Sequence, residues 1–228
     1  MVTPILHVHP LSSYCQKVLI AARVLGVPLQ ERLLNLGDPA QRAAFLALWP
    51  IGKMPLLEDQ GQTVAEASII IEHLQLHHAA GDARLLPADP VDALEVRFWD
   101  RFCDLYVMTP MQTLTADLLR PAPQRDAVAT ASARATLLKS YALLDRQLAG
   151  RTWLAGDGFS LADCAAAPAL FYALAYVSLP GSQVALAGYV ARLMAYAEVA
   201  AVIEAARPWF RHFPGRAGLD RRYYDPDA

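Results

Sequence analysis

Cysteine is scarce in this sequence, which contains only Cys15, Cys103 and Cys164 among its 228 residues. An odd and widely spaced set excludes a disulfide framework and offers no paired spacing of zinc ligands. Long apolar runs are also missing, and the first residues lack a basic stretch followed by an apolar segment. We therefore expect no membrane-spanning helix, no secretory signal and a location in the reducing cytoplasm.

Charge is scarce as well, because Asp, Glu, Lys and Arg make up only 18% of the chain. The 20 basic and 22 acidic side chains leave a net charge of −2, so no basic stripe is available to bind nucleic acid. Hydrophobic residues reach 55%, which excludes a disordered chain. This apolar surplus must be buried inside the fold, in a subunit interface or in an apolar pocket.

Residues 1–80 alternate short apolar runs with helical patterns, and they predict a small α/β domain. The predicted strands are residues 4–8, 28–36, 55–58 and 62–65. The predicted helices are residues 12–25, 40–48 and 67–78. The order β-α-β-α-β-β-α predicts one right-handed parallel crossover and a terminal hairpin, which together give a mixed sheet covered by helices.

Residues 81–91 carry Gly81, Pro87 and Pro90 and predict a linker. Beyond the linker the strand patterns disappear, so residues 92–228 predict an all-helical domain. The predicted helices of this domain are residues 92–115, 124–148, 160–177, 184–196 and 200–210.

The first segment that suggests chemistry is PLSSYCQKV (residues 10–18), where the first strand ends and the first helix begins. The free N–H groups and the positive end of a helix stabilise an anion such as a thiolate. A hydroxyl of Ser12 or Ser13 can donate a hydrogen bond to that sulfur. The alternative is that either serine only caps the helix, as serine commonly does.

Two further segments suggest a ligand site. In GKMPLLED (residues 52–59), a cis Met54–Pro55 bond would let the Met54 backbone pair with an extended ligand, whereas a trans bond would be an ordinary strand start. VAEASIIIEHL (residues 64–74) opens a buried helix whose N–H groups can hold a carboxylate while Glu66 pairs with an ammonium. Alternatively, Glu66 only complements the helix dipole.

In GFSLADC (residues 158–164), Ser160 and Asp163 have the spacing of a capping box, with Asp in the place of Glu. The order of these four segments, followed by a helical remainder, resembles the cytosolic glutathione S-transferases over roughly residues 4–210. The resemblance implies a thioredoxin-like N-terminal domain, a helical C-terminal domain with a pocket for the electrophile, and a homodimer. The SSYCQKV stretch is most similar to the serine-type classes, theta- and zeta-like, and to their bacterial relatives.

The resemblance also implies roles for individual residues, with glutathione as co-substrate. Ser12 would hydrogen-bond the glutathione thiolate, and Ser13 would replace it if the loop is shifted by one residue. Contacts to glutathione would come from Lys53, from the Met54 backbone and from a cis Pro55.

The resemblance assigns the contact with the γ-glutamyl group to Glu66. The residue after Glu66 departs from the usual sequence of the family. The family usually has Glu-Ser where this chain has Glu66 and Ala67, so the hydroxyl is missing or is displaced to Ser68. A lost hydrogen bond to a charged group is worth about 1.5–3 kcal/mol, or roughly ten- to a hundred-fold in affinity. We therefore expect glutathione to bind, and to bind weakly.

Cys15 stands at the second cysteine position of a Cys-x-x-Cys-like site whose first position is Ser12. Because the first position carries the nucleophile in thioredoxin-like redox enzymes, this replacement argues against disulfide chemistry, and Cys15 is expected to be a small buried hydrophobe. In the helical region, Tyr106 and Met111 are candidates for lining the electrophile pocket, as the resemblance implies. The alternative is that they belong to the core, as such stripes usually do.

The histidine pairs His7 with His9 and His73 with His77 could approach a metal ion, but neither pair has a third ligand at useful spacing, so no metal is expected. The function that the sequence predicts is that of a cytoplasmic glutathione S-transferase, which activates the thiolate to attack an apolar electrophile, as in detoxification. The alternatives are a glutathione-dependent isomerase and a catalytically silent relative that binds apolar ligands or another protein.

Overall fold

The computed structural model describes residues 3–224. The chain divides into two compact units, which meet in the sequence between Leu86 and Pro87. This junction lies inside the segment that the sequence predicts to be a linker.

The first unit is built on a mixed sheet of four strands, β1 (Ile5–Val8), β2 (Gln30–Leu33), β3 (Leu56–Asp59) and β4 (Gln62–Ala65). The strand order is β2-β1-β3-β4, with β1 parallel to β2 and antiparallel to β3. The hairpin between β3 and β4 turns at Gln60 (φ 48°) and Gly61 (φ 80°), and both residues adopt the left-handed backbone that a two-residue loop requires. The predicted crossover and hairpin are therefore both present.

The helices of this unit are α1 (Ser13–Val24), α2 (Pro39–Leu48) and α3 (Ala67–His78). One cluster of the core joins α2 to the sheet and to the loop after β2. Its buried members are Leu34, Phe45 and Leu56, and its partly buried members are Leu36, Trp49, Met54 and Ala65. The loop after β2 and the residue before Pro55 are thus held by the same apolar cluster.

The second unit is helical over the residues that the structure describes. It contains α4 (Pro90–Phe102), α5 (Thr109–Leu119), α6 (Ala127–Gln147), α7 (Leu161–Leu174), α8 (Val184–Ala195) and α9 (Ala197–Ala206). Helix α7 is buried from Leu161 to Ala173, and its many alanines leave room for neighbours on every side. A helix that is apolar all round belongs in the centre of a bundle, and α7 packs there against α4, α5 and α8.

The helix predicted at residues 92–115 extends from Pro90 to Leu119 in the structure, and its helical geometry changes in the middle. It comprises α4, a π-helical segment (Cys103–Met108) and α5. Pro110 has no N–H to donate to the carbonyl of Tyr106, four residues before it, and Ser140 of α6 donates to that carbonyl instead, at 2.8 Å. The periodicity of the sequence shows one continuous helix and does not reveal this local widening.

Two other predicted elements are shorter than expected. The predicted strand 28–36 is reduced to Gln30–Leu33, because β2 is an edge strand whose partner, β1, has only four residues. The predicted helix 200–210 ends at Ala206 and continues as a 3-10 turn (Arg207–His212), in which Pro208 cannot donate a hydrogen bond.

Within residues 3–224, no single helix is both long and apolar enough to cross a membrane. Helix α8, combined with α9 and the turn that follows it, has the length and composition of a membrane span, but the two parts are bent by 73° relative to each other.

Candidate active site

A cleft of about 450 Å³ opens in the first unit at the ends of its two parallel strands. The turn from β1 into α1, the loop after β2 and the residue before Pro55 form its walls. The lining residues are His9, Leu11, Ser12, Leu34, Asn35, Leu36, Gly37 and Met54. Because β1 and β2 are parallel, their carboxyl ends meet at one edge of the sheet and bring the two loops together.

Ser12 is the N-cap of α1, and its Oγ accepts a hydrogen bond from the Cys15 N–H at 3.3 Å. The Ser12 N–H donates to the His9 carbonyl at 2.9 Å, which fixes the turn. Since the hydroxyl acts as an acceptor towards the helix, its own proton can be donated to a ligand in the cleft. Ser13, by contrast, is buried in the first helical turn. Of the two candidate serines, the structure therefore places only Ser12 in the lining.

The start of α1 favours a negatively charged ligand. No acidic side chain lies in its first turn, so the positive end of the helix dipole is not neutralised locally. Cys15, in the same turn, is fully buried, and burial raises the pKa of its thiol to about 11, against the opposing hydrogen bond with Ser12. Cys15 therefore stays protonated and behaves as the small buried hydrophobe that the sequence predicts.

The Met54–Pro55 peptide bond is cis. Met54 is half-buried and lines the cleft, while Pro55 is buried behind it at the start of β3. Lys53 is exposed and does not contribute to the lining.

Glu66 adopts an unusual backbone conformation, with φ 70° and ψ 120°, directly before α3. A left-handed conformation at a residue other than glycine costs about 1–3 kcal/mol and is concentrated at functional sites. The Glu66 side chain is exposed and makes no capping hydrogen bond to the helix. The carboxylate therefore does not cap α3 and is accessible at the surface.

Ala67 is buried, and the next residue carries a hydroxyl with a specific partner. The Lys17 ammonium on α1 donates a hydrogen bond to Ser68 Oγ at 2.9 Å, and Lys17 is completely buried. Ser68 thus forms part of a buried polar contact between α1 and α3. Sequence reasoning missed Lys17, although a charged residue among Val18, Ile20 and Ala21 on a buried helix is the pattern that could have revealed it.

The sequence indicates His9 only as a possible metal ligand, and it does not indicate the loop after β2. His9 lines the cleft beside Ser12, and its Nδ1 accepts a hydrogen bond from the Leu11 N–H at 3.2 Å. Residues 34–37 contribute half of the lining. They follow an edge strand as part of an ordinary loop, so no motif in the sequence identifies them.

The remaining predicted residues lie in the second unit. Tyr106 is half-exposed, whereas Met111 is buried, with its sulfur 3.6 Å from the Thr115 hydroxyl. The capping box of Ser160 and Asp163 is present at the start of α7.

The Asp163 carboxylate accepts four hydrogen bonds inside the second unit. The donors are the Leu154 N–H (3.1 Å), the Ser160 N–H and hydroxyl (2.8 and 2.9 Å) and the Tyr189 hydroxyl (2.6 Å). Burial raises the pKa of Asp163, and these hydrogen bonds oppose the increase. The box thus connects α7 with the preceding loop and with α8, which is a structural role.

Comparison with known proteins gives two family matches in one chain. Residues 6–81 match the glutathione S-transferase N-terminal domain, and residues 102–196 match the glutathione S-transferase C-terminal domain. A glutathione S-transferase of Pseudomonas putida strain F1 is 31% identical over 158 residues, which cover 69% of each chain.

Solved structures agree with these matches. A glutathione S-transferase of Methylobacterium radiotolerans JCM 2831, in complex with glutathione sulfonate, is 28% identical, with a TM-score of 0.76 over 87% of this chain and 93% of that one. One from Methylobacillus flagellatus KT, with glutathione bound, is similar in fold, with a TM-score of 0.78 at 24% identity over 87% of this chain and 98% of that one. This chain belongs to the cytosolic glutathione S-transferase superfamily. The predicted fold class and the predicted glutathione S-transferase function are confirmed.

Proposed function

We propose that glutathione binds in the cleft of the first unit and that Ser12 activates it for attack on an apolar electrophile. The observation that carries this assignment is the position of Ser12, which caps α1 and lines the cleft. A hydrogen bond donated by its hydroxyl, together with the unneutralised end of α1, stabilises the thiolate over the thiol. Ser13 is the less suitable candidate because it is buried.

The reaction needs little other chemistry from the protein. The glutathione thiol loses its proton to solvent, and the sulfur lone pair forms a bond to the electrophilic carbon. With an aryl halide, the halide then leaves with the electron pair of the broken bond. The Ser12 hydroxyl keeps its own proton throughout, so its contribution is the stabilisation of negative charge on sulfur.

The other end of glutathione is assigned to the segments around Met54 and Glu66. Met54 lines the cleft, and its backbone would pair with the peptide-like part of the ligand, with Lys53 and Pro55 beside it. Glu66, strained and exposed, would pair with the γ-glutamyl ammonium. The γ-glutamyl carboxylate would be held by the backbone at Ala67 and by the Ser68 hydroxyl.

The electrophile pocket is assigned to the second unit, where Tyr106 presents half of its surface. Met111 is the weaker candidate because it is buried. Conjugation of apolar electrophiles is a detoxification reaction, and the reducing cytoplasm is the proposed location. The three cysteines agree with it, since all are free thiols.

A homodimer is the proposed assembly, and the exposed face of α4 supports it. Val91, Leu94 and Phe98 are exposed apolar residues at helical spacing on this face. A charged Leu94→Asp or Phe98→Asp side chain should convert the dimer to a monomer in sedimentation experiments. A wild-type chain that sediments as a monomer would refute the assembly.

The proposed function is tested by titration with glutathione and by substitutions at Ser12 and Ser13. Calorimetry should show saturable glutathione binding, and no binding up to about 10 mM would refute the proposal. Ser12→Ala should lower kcat/KM for a model aryl halide about 10- to 100-fold, since it removes one hydrogen bond to a charged sulfur. Unchanged turnover in this variant would show that Ser12 is not the activating group.

Helix capping and catalysis can be separated in the same experiment. Ser12→Asp keeps an oxygen that caps α1, so the protein should stay as stable as wild type, whereas the added negative charge should abolish turnover. Ser13→Ala should lower turnover much less than Ser12→Ala does. The opposite order would assign the thiolate to Ser13.

A further inference from the structure

Three side chains that could bind a metal ion converge in the first unit, away from the cleft. Asp59 ends β3, and His73 and His78 lie on the second half of α3. The His73 Nε2 is 2.8 Å, and the His78 Nε2 2.7 Å, from the same carboxylate oxygen, Asp59 Oδ2. These three ligand atoms all lie within 4.8 Å of one another.

The position of this cluster separates it from glutathione chemistry. Because β3 is antiparallel to β1, Asp59 lies at the end of the sheet opposite to the turn that carries Ser12. None of the three residues lines the cleft. The proposed function leaves them without a role.

Burial makes the cluster more than a surface ion pair. The side chains of Asp59 and His78 are 3% and 7% exposed, and that of His73 is 15% exposed. The second carboxylate oxygen, Asp59 Oδ1, is buried without a hydrogen-bond partner among the described residues. A buried oxygen without a partner costs free energy, so the two imidazoles alone do not fully satisfy this carboxylate.

The hydrogen bonds of the cluster lie where a metal ion would bind. A carboxylate oxygen accepts hydrogen bonds, so each Nε2 at this distance carries the proton that it donates to Asp59 Oδ2. These two protons occupy the space between one oxygen and two nitrogens that a divalent cation would take.

We propose that Asp59, His73 and His78 form a binding site for Zn²⁺, which would fasten the β3–β4 hairpin to the end of α3. One carboxylate and two imidazoles are a donor set that zinc uses in proteins, with a fourth position open to water. In a tetrahedral site with bonds of about 2.0–2.1 Å, neighbouring ligand atoms are about 3.3 Å apart. The O–N distances of 2.7 and 2.8 Å would therefore open by roughly half an ångström. On binding, the ion forms bonds to Oδ2 and both Nε2 atoms, and the two Nε2 protons are released to solvent.

The sequence alone points to a different pair. His73 and His77 share a helix face at i, i+4, and their rings lie 4.5 Å apart in the structure. His77 is nonetheless exposed and outside the cluster, whereas His78, its neighbour, reaches Asp59. This arrangement supplies a matched control, because His77 and His78 are adjacent histidines on one helix with different expected roles.

The experiment titrates Zn²⁺ into the tag-free full chain after removal of metals with a chelator. Calorimetry should show one ion per chain with a Kd below roughly 10 µM. His78→Gln and His73→Gln should each weaken binding at least about tenfold, since loss of even an outer-shell partner costs 10- to 100-fold. His77→Gln should bind as wild type does. No binding by wild type, or equal effects of His77→Gln and His78→Gln, would overturn the proposal and leave a hydrogen-bonded cluster only.

A second measurement does not depend on the folding of any variant. X-ray absorption of the zinc-loaded wild-type chain should show two imidazole nitrogens and at least one carboxylate oxygen around the metal. Four nitrogens, or sulfur ligands, would place the ion elsewhere and overturn the proposal. Glutathione conjugation should run at the same rate with and without Zn²⁺, so this outcome is independent of the function assigned to Ser12.

Discussion

The contact between Lys17 and Ser68 gives the sharpest prediction for the stability of the first unit. Ser68→Ala removes the oxygen that accepts a hydrogen bond from the Lys17 ammonium at 2.9 Å. Lys17 is completely buried, so water does not simply replace the lost oxygen. A hydrogen bond to a charged group contributes about 1.5–3 kcal/mol. The free energy of unfolding should fall by that amount.

The expected change is large enough to measure by thermal unfolding. For a chain of about 150–250 residues that unfolds as one cooperative unit, 1 kcal/mol corresponds to about 2–4 °C, so Ser68→Ala should lower Tm by roughly 3–12 °C. The matched control is Ser132→Ala, which truncates an exposed serine on α6 and should leave Tm nearly unchanged. Ser68→Thr keeps the hydroxyl and should retain most of the stability.

A double-mutant cycle identifies the contact as the cause. In a Lys17→Met background the ammonium is absent, so Ser68→Ala should destabilise the chain much less than it does in wild type. Equal effects in both backgrounds, or a Tm within about 1 °C of wild type for Ser68→Ala alone, would refute the reasoning. Ser68→Ala should also weaken glutathione binding, because the same hydroxyl is the nearest substitute for the one missing at Ala67.

Three other measurements address neighbouring features. Ala67→Ser should tighten glutathione binding about tenfold in calorimetry by restoring a hydroxyl donor, and an unchanged Kd would mean that backbone donors already satisfy the carboxylate. The Cys15 thiol keeps its proton up to about pH 11 in the folded chain but loses it near pH 9 when unfolded, so its contribution to stability is complete below pH 9 and declines up to pH 11. In urea unfolding, the free energy of unfolding of wild type should therefore fall by about 3 kcal/mol more from pH 9 to pH 11 than that of Cys15→Ala. Equal decreases in the two proteins would contradict the burial of this thiol. Asp163→Ala should lower the free energy of unfolding by at least about 3 kcal/mol, because it leaves buried donors unsatisfied, and a smaller loss in urea would mean that the capping box does not hold α7 in place.

Local features of the sequence predicted local features of the structure. The sequence predicts the turn from β1 into α1 because a strand end, a serine N-cap and an amphipathic helix lie within residues 5–24, and the structure places Ser12 there. The hairpin at Gln60 and Gly61 is also predicted locally, because two short strand patterns flank it. The predicted helix 92–115 shows the limit of this reasoning, because the π-helical segment depends on Pro110 and on a hydroxyl from α6.

The sequence by itself determined the order of elements, the division into an α/β part and a helical part, and the serine at the start of α1. These depend on caps, alternation and helical periodicity, which act over a few residues. Only the tertiary structure decided which distant side chains meet. Lys17 contacts Ser68 across 51 positions, and Asp59 meets His78 across 19. Such contacts follow from the strand order β2-β1-β3-β4 and from the packing of α1 and α3, because burial selects partners in space and not along the chain.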